Sequence, residues 1–356
     1  MIGVFINTMD NINVFLGIQN LTLSEAMQQI NRNTYGILFL TDANGRLVGC
    51  LSDGDVRRFL LSGGQMSDSV MAAAEHHPRY ATTRDEAKTL YDKKSYIVIP
   101  ILDEKGVIVD LYFGDGQVQR KQHKPLGIPV VINAGGKGTR LDPFTRVLPK
   151  PLIPVGEYPI IELIMREYQT YACDDFHIIV NYKKDLLKAY FADNENQYQI
   201  NWYDESQPLG TGGGLSLLKG QINETFFFAN CDVLLTANYE DMLAFHKEQR
   251  NAITMICAYK NLEIPYGVID MGVNGKIESM REKPVMSFLT NTGCYIVEPE
   301  VLEDMVEGES IGFPDVIERQ KAKGRKVAAY PISENDWMDM GQLPELEKMR
   351  VKLYGE

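Results

Sequence analysis

Short apolar runs alternate with amphipathic segments along the chain, a pattern typical of an α/β protein. In the first 120 residues two helical patterns, SEAMQQI and DEAKTLY, begin at a Ser or an Asp and precede two apolar runs. The apolar runs are separated by DANG in one case and by DEKG in the other, and both have the Asp and Gly chemistry of a hairpin turn. The pattern therefore predicts two helix–strand–turn–strand units.

These two units are copies of each other. An offset of 61 residues carries Asp42 onto Asp103 and Gly45 onto Gly106. A supersecondary unit that recurs at a constant offset indicates an internal duplication. A polar, basic stretch that ends in Pro and Gly predicts a linker to a second domain. We assign the duplicated module to residues 1–120, its copies to about 8–64 and 66–118, the linker to 121–127 and the second domain to 128–356.

The duplicated module contains the segment GCLSDGDVRR, and through these residues it resembles a tandem pair of cystathionine-β-synthase-type (CBS) domains. In that family a hydroxyl residue and an aspartate three positions later lie near the phosphate and ribose of an adenine nucleotide, and Ser52 and Asp55 match them. A helix N-terminus also favours phosphate. The second copy, DLYFGDGQ, lacks these residues. Two alternatives stay open: Asp53 and Asp55 act only as helix caps, or the pair serves only to dimerise the chain.

The second domain opens with IPVVIN, an apolar run that predicts a buried strand, followed at once by AGGKGTRL. Glycines there let the backbone approach a phosphate closely, and consecutive N–H groups can form an anion nest. The loop has neither the GK[ST] ending of a Walker motif nor the third glycine of the dinucleotide-binding motif. The PKP that follows places Lys150 ten residues after Arg140, so two cations flank one turn.

This stretch resembles the signature of the sugar-phosphate nucleotidyltransferases, the pyrophosphorylases that make nucleoside-diphosphate sugars. Six further blocks match the family in its order: ESQPLGTGGGLSLL, FFFANCDVLL, PYGVID, REKP, NTGCYIV and DWMDMGQLPEL. Cys231 replaces the usual glycine before Asp232, which leaves the carboxylate in place. The resemblance implies a Rossmann-like, doubly wound and mostly parallel sheet, with the site at the carboxyl ends of its strands.

The resemblance also implies a role for each matched residue. Asn133, Ala134, Gly135, Gly136, Gly138, Thr139, Glu205, Gly210 and Thr211 would bind the nucleotide. Tyr266, Gly267, Glu282, Lys283 and Asn291 would bind the sugar phosphate. The catalytic residues would be Arg140, Lys150, Asp232 and Lys283, and the ligands of Mg²⁺ would be Asp232 and Asp339.

In the implied reaction, an oxygen of a sugar 1-phosphate attacks the α-phosphorus of a nucleoside triphosphate and pyrophosphate leaves. The nucleophile is already an anion near pH 7, because the second pKa of a phosphate monoester is about 6. A general base is therefore not needed, and the enzyme has to align and neutralise two polyanions. We assign Arg140 to the leaving pyrophosphate, Lys150 to the α-phosphate and the attacking phosphate, and Lys283 to the sugar phosphate.

Glu205 lies where the family's base-recognising residue tends to fall. A carboxylate only accepts hydrogen bonds, guanine offers two donors on its Watson–Crick edge, and uracil or thymine offers one, so the residue favours GTP. The architecture resembles guanylyltransferases of bacterial legionaminic acid biosynthesis, which act on glucosamine 1-phosphate. The alternatives are mannose 1-phosphate with GTP, glucose 1-phosphate with TTP or UTP, and an adenine-nucleotide sensor with an inactive transferase domain.

Charge and composition limit the partners. The formal net charge of −12 argues against general attraction to nucleic acid or to an anionic membrane. The five cysteines are scattered without a CxxC pair, which indicates a reducing compartment. No basic segment precedes a long apolar stretch at the N-terminus. We therefore expect a cytoplasmic homo-oligomer, dimeric through its CBS domains, without nucleic-acid or membrane partners.

Overall fold

The computed structural model describes residues 12–33, 35–93, 98–114, 123–192 and 198–355. The outer ends of the two predicted copies, 8–11 and 115–118, and the linker residues 121–122 lie outside this part of the chain. The linker residues 123–127 have no regular secondary structure. Across the described residues, no helix is both long and apolar enough to cross a membrane.

In its described residues, the N-terminal module contains two small sheets and four α-helices. In the first sheet, β1 runs parallel to β2, which pairs with β3 in an antiparallel hairpin; β4 and β5 form the second hairpin. The elements are β1 (Leu16–Ile18), α1 (Leu23–Asn33), β2 (Ile37–Thr41), β3 (Leu47–Ser52), α2 (Asp53–Leu61), α3 (Val70–Ala73), α4 (Arg84–Lys93), β4 (Ile99–Leu102) and β5 (Ile108–Tyr112).

Equivalent details recur in both copies of the module. Asp42 accepts hydrogen bonds from the N–H groups of Asn44 and Arg46, and Asp103 accepts them from Lys105 and Val107. A β-bulge interrupts each hairpin at the same place, between Leu40 and Thr41 and between Ile101 and Leu102. The predicted duplication is therefore visible in turn geometry and register as well as in element order.

The caps of the two long helices differ from the prediction. The sequence analysis placed their first residues at a Ser and an Asp, whereas the hydroxyls of Thr22 and Thr83 accept the free N–H groups of Glu25 and Glu86. Glu25 in turn accepts from the N–H of Thr22. This completes a capping box in the first copy, whereas in the second copy Glu86 accepts from the N–H of Thr82. The helices begin earlier than predicted because, in both copies, a threonine caps the N–H of the glutamate three residues later.

The second part of the chain is a three-layer α/β domain. Its strands and helices are β6 (Val130–Asn133), α5 (Phe144–Val147), β7 (Pro154–Val155), β8 (Tyr158–Pro159), α6 (Ile160–Gln169), β9 (Asp175–Val180), α7 (Lys184–Ala192), β10 (Gln199–Asp204), β11 (Phe226–Asn230), β12 (Val233–Leu235), α8 (Tyr239–Gln249), β13 (Ile253–Glu263), β14 (Val268–Met271), β15 (Ile277–Arg281), β16 (Val285–Val297), α9 (Glu300–Glu303), α10 (Phe313–Ala322), β17 (Val327–Ile332), β18 (Trp337–Asp339) and α11 (Leu343–Tyr354).

A seven-stranded sheet forms the centre of this domain, in the order β10-β9-β6-β11-β16-β13-β17. Every neighbouring pair is parallel except the two that involve β16. From β6 the chain builds outward to β9 and β10 and then returns to the other side of β6 with β11. This reversal of direction opens a crevice at the carboxyl ends of β6 and β11, which is where ligands bind in such sheets.

The side chains of successive residues in β6 pack into two different hydrophobic cores, one on each face of the sheet. Val130 and Ile132 pack with α6, α7, α8 and α11 on one face of the sheet, and Val131 packs with α9 and α10 on the other. All three side chains are fully buried. The alternation explains why IPVVIN is apolar throughout, since a strand covered on both faces has no solvent side.

The N-terminal module packs directly on the α/β domain. Tyr259 of β13 is buried in the core of the first copy, together with residues of α1 and α2. Ser24 and Ser287 form a hydrogen bond through their hydroxyls, and Arg57 of α2 lies over the ring of Tyr330. The first copy therefore shares apolar and polar contacts with strands β13, β16 and β17.

Candidate functional site

Two glycine-containing loops meet at the carboxyl end of β6. Asn133, the last residue of β6, donates a hydrogen bond through Nδ2 to the carbonyl of Thr211 (3.3 Å). In the first loop Gly138 has φ +65°, and its carbonyl accepts from the buried hydroxyl of Thr145 (3.1 Å). Ala134 and Gly135 are buried, whereas the predicted nucleotide-binding residues Gly136 and Thr139 are exposed at the mouth of the loop.

The second loop is anchored on the start of α10. The hydroxyl of Thr211 accepts a hydrogen bond from the N–H of Phe313 (2.9 Å). Gly210 has φ +79°, and a Cβ at this position would lie 2.7 Å from the carbonyl oxygen of Ile311. Both the left-handed backbone and the close approach require glycine here.

Glu205 lies between these loops with its carboxylate facing the backbone of two glycines. A Cβ on Gly135 would lie 2.6 Å from its Oε2, and a Cβ on Gly214 would lie 3.0 Å from its Oε1. The side chain is buried, and Oε1 has no hydrogen-bond partner. Burial raises the pKa of Glu205 to about 7, against the effect of a backbone hydrogen bond from Leu209. An unpaired, buried carboxylate oxygen favours a donor from a ligand.

Four predicted residues form a charged cluster beside the first loop. Lys150 donates a hydrogen bond to Asp232, and both side chains are largely buried. Strand pairing of β12 with β18 places Val233 opposite Asp339, so the two aspartates lie close together. Burial raises the pKa of Asp339, and Arg140 is close enough to offset part of that rise. Two cations and two carboxylates from four separate segments therefore share one site.

Asp232 and Asp339 fit a magnesium ion. Burial raises the pKa of Asp339, and the neighbouring Asp232 raises it further. A divalent cation between the two carboxylates would relieve this repulsion. Mg²⁺ is commonly held by one or two carboxylates together with substrate phosphates. Among the described residues, no cluster of three or more His, Cys, Asp or Glu side chains could hold a metal by itself.

The residues predicted to bind the sugar lie around the hairpin β14–β15. Gly267 and Glu282 are neighbours, because a Cβ on Gly267 would lie 3.1 Å from Glu282 Oε2. Tyr266 is 74% exposed, and Lys283 is also exposed. Asn291, in β16, donates to the hydroxyl of Tyr295 (2.7 Å). Among the described residues no hydrogen bond or ion pair joins Glu282 or Lys283 to the charged cluster, so the structure groups them separately.

In the N-terminal module, Ser52 and Asp55 form a capping box at the start of α2. The Ser52 hydroxyl accepts from the N–H of Asp55 (3.3 Å), and Asp55 accepts from the N–H of Ser52 (2.9 Å). The capping role considered in the sequence analysis thus belongs to Ser52 and Asp55. Asp53, considered there as a cap, instead has a buried carboxylate oxygen without a partner. A nucleotide-binding role for Ser52 and Asp55 stays a prediction.

The sequence analysis did not identify Lys183, which supports the backbone that follows the first glycine-containing loop. Its ammonium donates to the carbonyls of Thr145 (3.3 Å), Arg146 and Val147 (2.9 Å) at the end of α5. The available signal was the NYKKD stretch directly after the buried strand β9, at the same sheet edge as the glycine-rich loop.

With this fold and site in view, family comparisons identify the class of protein. The model of the nucleotidyl transferase family matches residues 129–354, and a CBS domain model matches residues 19–62. The chain therefore belongs to the nucleotidyl transferase family and carries an N-terminal CBS domain.

Relatives and solved structures agree with this assignment. Mannose-1-phosphate guanyltransferases of Pichia angusta and Schizosaccharomyces pombe are 33% and 31% identical over 226 and 221 residues. Each match covers 60% of this chain and 60% of the relative, so the chain spans about three fifths of the length of these relatives. HddC from Yersinia pseudotuberculosis matches in structure with a TM-score of 0.51 and 21% identity, covering 63% of this chain and 99% of HddC. That likeness concerns the fold.

Proposed function

We propose that the protein transfers a guanylyl group from GTP to a hexose 1-phosphate, giving a GDP-sugar and pyrophosphate. The observation that carries the proposal is the buried carboxylate of Glu205, which has one oxygen without a hydrogen-bond partner and lies against the backbone of Gly135 and Gly214. An ionised carboxylate accepts from the two donors of guanine, and an amide would suit uracil or thymine better.

The charged cluster supports the transfer chemistry. A phosphate oxygen of the sugar 1-phosphate forms a bond to the α-phosphorus of GTP, and the bond from that phosphorus to the bridging oxygen breaks as pyrophosphate leaves. Arg140 neutralises the leaving pyrophosphate, while Lys150 exchanges Asp232 for the α-phosphate and the attacking oxygen. Lys283 holds the sugar phosphate. When bound by Asp232 and Asp339, Mg²⁺ supplies Lewis-acid stabilisation of the phosphate oxygens.

The identity of the sugar has two candidates. The relatives named above are mannose-1-phosphate guanyltransferases, which favours mannose 1-phosphate. The combination of CBS domains with a transferase favours glucosamine 1-phosphate and a place in legionaminic acid biosynthesis. Glucose 1-phosphate with TTP or UTP is disfavoured by Glu205. The sensor hypothesis is disfavoured because Arg140, Lys150, Asp232 and Asp339 are all present and come together.

Pyrophosphate release tests this proposal. The protein with Mg²⁺ is given GTP, UTP, TTP, CTP or ATP, each with glucosamine, N-acetylglucosamine, mannose or glucose 1-phosphate. Release confined to GTP supports guanylyl transfer, and the most active sugar identifies the acceptor. Release with UTP or TTP in preference to GTP contradicts the role of Glu205. Silence in the whole grid, repeated with AMP or ATP as an activator, contradicts the transferase function.

For the N-terminal module we propose an adenine nucleotide as ligand of Ser52 and Asp55, and a dimer formed through the CBS domains. Binding requires Asp55 to exchange its contacts within the capping box and with Arg58 for the ribose hydroxyls. AMP, ADP and ATP should each be tested for a rise in Tm. A rise that is lost in Asp55→Asn supports ligand binding, and no rise supports a module that serves in assembly.

A further inference from the structure

The short helix α5 lies in the chain between Arg140 and Lys150, the two cations of the charged cluster. A helix leaves its last four carbonyls without an N–H partner from its own turns. The last three carbonyls of α5 accept from the ammonium of Lys183, with Nζ–O distances of 3.3 Å to Thr145 and 2.9 Å to Val147. A lysine can satisfy such carbonyls, and its charge compensates the negative end of the helix dipole.

These contacts use the whole donor capacity of the ammonium. A lysine ammonium carries three N–H donors, and three carbonyls accept from that of Lys183. It therefore has no donor left for a phosphate group of a substrate. Its backbone has φ +53°, in the left-handed region that residues other than glycine rarely adopt. Such a conformation persists where surrounding contacts hold it, and it is concentrated at functional sites.

Thr145 connects Lys183 to the loop that contains Arg140. The carbonyl of Thr145 accepts from Lys183, and its hydroxyl donates to the carbonyl of Gly138 (3.1 Å). The N–H of Leu141 donates to the same carbonyl (2.9 Å) and closes the 3₁₀ turn that has Arg140 at its centre. A fixed position of Thr145 therefore fixes the turn from which the guanidinium extends.

The same contacts reach Lys150. A Cβ on Gly138 would lie 2.9 Å from the Cβ of Lys150 and 3.0 Å from the Cγ2 of Thr145. The backbone of Gly138 thus lies against both side chains. Lys150 also follows Val147, the last residue of α5, by three positions. The two cations therefore lie on either side of a backbone segment that one ammonium holds.

We propose that Lys183 is a positioning residue for Arg140 and Lys150 in the transfer reaction, and that it does not itself contact a substrate phosphate. Its part in the reaction rests on the proposed function of these two cations, whereas its hold on α5 does not. Electrostatic stabilisation of a transition state requires charges that are already in place. A shift of either cation by about 1 Å can cost roughly 100-fold in rate.

Hydrogen exchange tests the hold on α5 without relying on catalysis. Lys183→Met removes the ammonium and retains an unbranched side chain. Without substrates we expect the amides of Leu141 and Leu148 to exchange roughly 10- to 100-fold faster in this variant, the range of one hydrogen bond to a charged group. The N–H of Leu148 donates to the carbonyl of Phe144 (3.0 Å) in α5. Mass spectrometry of fragments that cover 138–150 measures the rates, and unchanged exchange overturns the proposal.

Steady-state kinetics test the part of Lys183 in the reaction. Lys183→Met should lower kcat and kcat/KM for GTP together, by roughly 10- to 100-fold, because the interactions that are lost belong to the transition state. The KM for GTP should stay close to that of the wild type. A raised KM with an unchanged kcat would show direct phosphate binding and overturns the proposal. Unchanged kinetics overturn it as well.

Lys184→Met is the matched control, because it removes the same charge from the neighbouring residue. The ammonium of Lys184 donates to Asp204 (3.0 Å) and makes no contact with α5 among the described residues. Exchange and kinetics of this variant should both match the wild type. Equal effects of Lys184→Met and Lys183→Met overturn the proposal, because loss of charge alone would then explain both.

Thr145→Val tests the connection between Lys183 and the loop. The substitution removes the hydroxyl that donates to Gly138 and retains the shape of the side chain. It should speed the exchange of Leu141 and lower kcat, and an unchanged kcat overturns the proposed connection. Should Lys183→Met fail to fold by circular dichroism, Lys183→Gly replaces it, because glycine suits the left-handed backbone.

The variants Arg140→Met and Lys150→Met separate this proposal from the proposed function. If both lower kcat but Lys183→Met does not, the positioning role is overturned while the function of the two cations stands. If neither lowers kcat, the proposed function of the two cations fails, and with it the part of Lys183 in the reaction.

Discussion

Glu205 shows how burial alters the chemistry of a single carboxyl group. In water a glutamate is ionised at neutral pH, but here burial raises the pKa to about 7. The two glycines that face the carboxylate, Gly135 and Gly214, leave no space for a side chain beside it. In its proposed role, this carboxyl group would accept from both donors of guanine only when it has lost its proton.

Replacing Glu205 with Gln should change the base preference. The amide retains the shape but offers only one acceptor, so we expect the KM for GTP to rise roughly 10- to 100-fold, the range of one hydrogen bond to a charged group. The ratio of kcat/KM for UTP or TTP to that for GTP should rise. Glu224→Gln, an exposed carboxylate, is the matched control. An unchanged KM for GTP in Glu205→Gln would contradict base recognition by this residue.

Recognition of GTP should also depend on pH. Because the ionised carboxylate accepts from guanine, we expect the KM for GTP to rise as the pH falls from 8 to 6 through the pKa of Glu205. The KM should be measured at saturating sugar 1-phosphate and at constant ionic strength. In Glu205→Gln this rise should disappear. A wild-type KM that is constant, or that falls with decreasing pH, is not compatible with the proposed role.

At the scale of elements, the nucleotide loops depend on backbone geometry. Gly210 combines φ +79° with a close approach to the carbonyl of Ile311, whereas Gly220 has φ +68° and open space where its Cβ would lie. A substitution at Gly220 costs only the left-handed backbone, about 1 kcal/mol. Comparing substitutions at Gly210 and Gly220 therefore separates the effect of backbone strain from the effect of the contact between the loop and Ile311.

We expect Gly210→Ala to lower Tm further than Gly220→Ala and to raise the KM for GTP severalfold. The reason is that the new Cβ must displace the loop from Ile311, and with it the Thr211 contact to Asn133. Gly220→Ala should leave the KM unchanged. Thermal unfolding and initial-rate kinetics on both variants check this. Equal effects of the two substitutions would show that the loop contact has no part in nucleotide binding.

The elements themselves were predicted well where a pattern is local. The hairpin turns, the strand β6 and the helix after Asp339 all occur as predicted. The helix starts were predicted less well, because Ser24 and Asp85 are good caps by composition, but Thr22 and Thr83 are the residues with a glutamate three positions later. Which of several neighbouring residues caps a helix depends on which hydroxyl comes within hydrogen-bonding distance of the free N–H groups. That in turn depends on the direction in which the chain enters the helix.

At the scale of the whole molecule, several buried carboxyl groups link stability to pH. The pKa values of Asp53, Glu167 and Glu205 are each raised to about 7, chiefly by burial. Between about pH 4 and 7 the folded chain therefore binds more protons at these groups than the unfolded chain does. The free energy of unfolding falls with rising pH wherever the folded state holds more protons than the unfolded state. These groups therefore add most to the free energy of unfolding below pH 4, and that contribution is lost by pH 7.

We expect Tm without substrates to be higher at pH 5.5 than at pH 8, with a loss of a few kcal/mol in the free energy of unfolding. The triple variant Asp53→Asn, Glu167→Gln, Glu205→Gln should have a smaller difference in Tm between the two pH values. Differential scanning calorimetry at both pH values measures this. A Tm that rises from pH 5.5 to pH 8 would show that these carboxyl groups do not dominate the linkage.

The sequence by itself determined the family, the duplication and most of the charged cluster. The glycine-rich loop, the PKP motif and the two aspartates are short segments whose chemistry is set by residue type and spacing, so they could be recognised before folding. The five cysteines are free thiols in the structure, and the reducing compartment stays a prediction. The CBS domain was also identified, because the segment GCLSDGDVRR stands in the first of two copies that are related by an offset of 61 residues.

The tertiary structure decided which distant groups share an environment. The buried, unpaired oxygen of Glu205 depends on glycines from two other loops, and the pairing of Val233 with Asp339 joins segments about a hundred residues apart. The hydrogen bond from Asn335, in the segment before Asp339, to the carbonyl of Asn31 depends on how the CBS domain docks. Burial and long-range proximity arise only when the chain packs, so these properties could not be predicted from the pattern of residues.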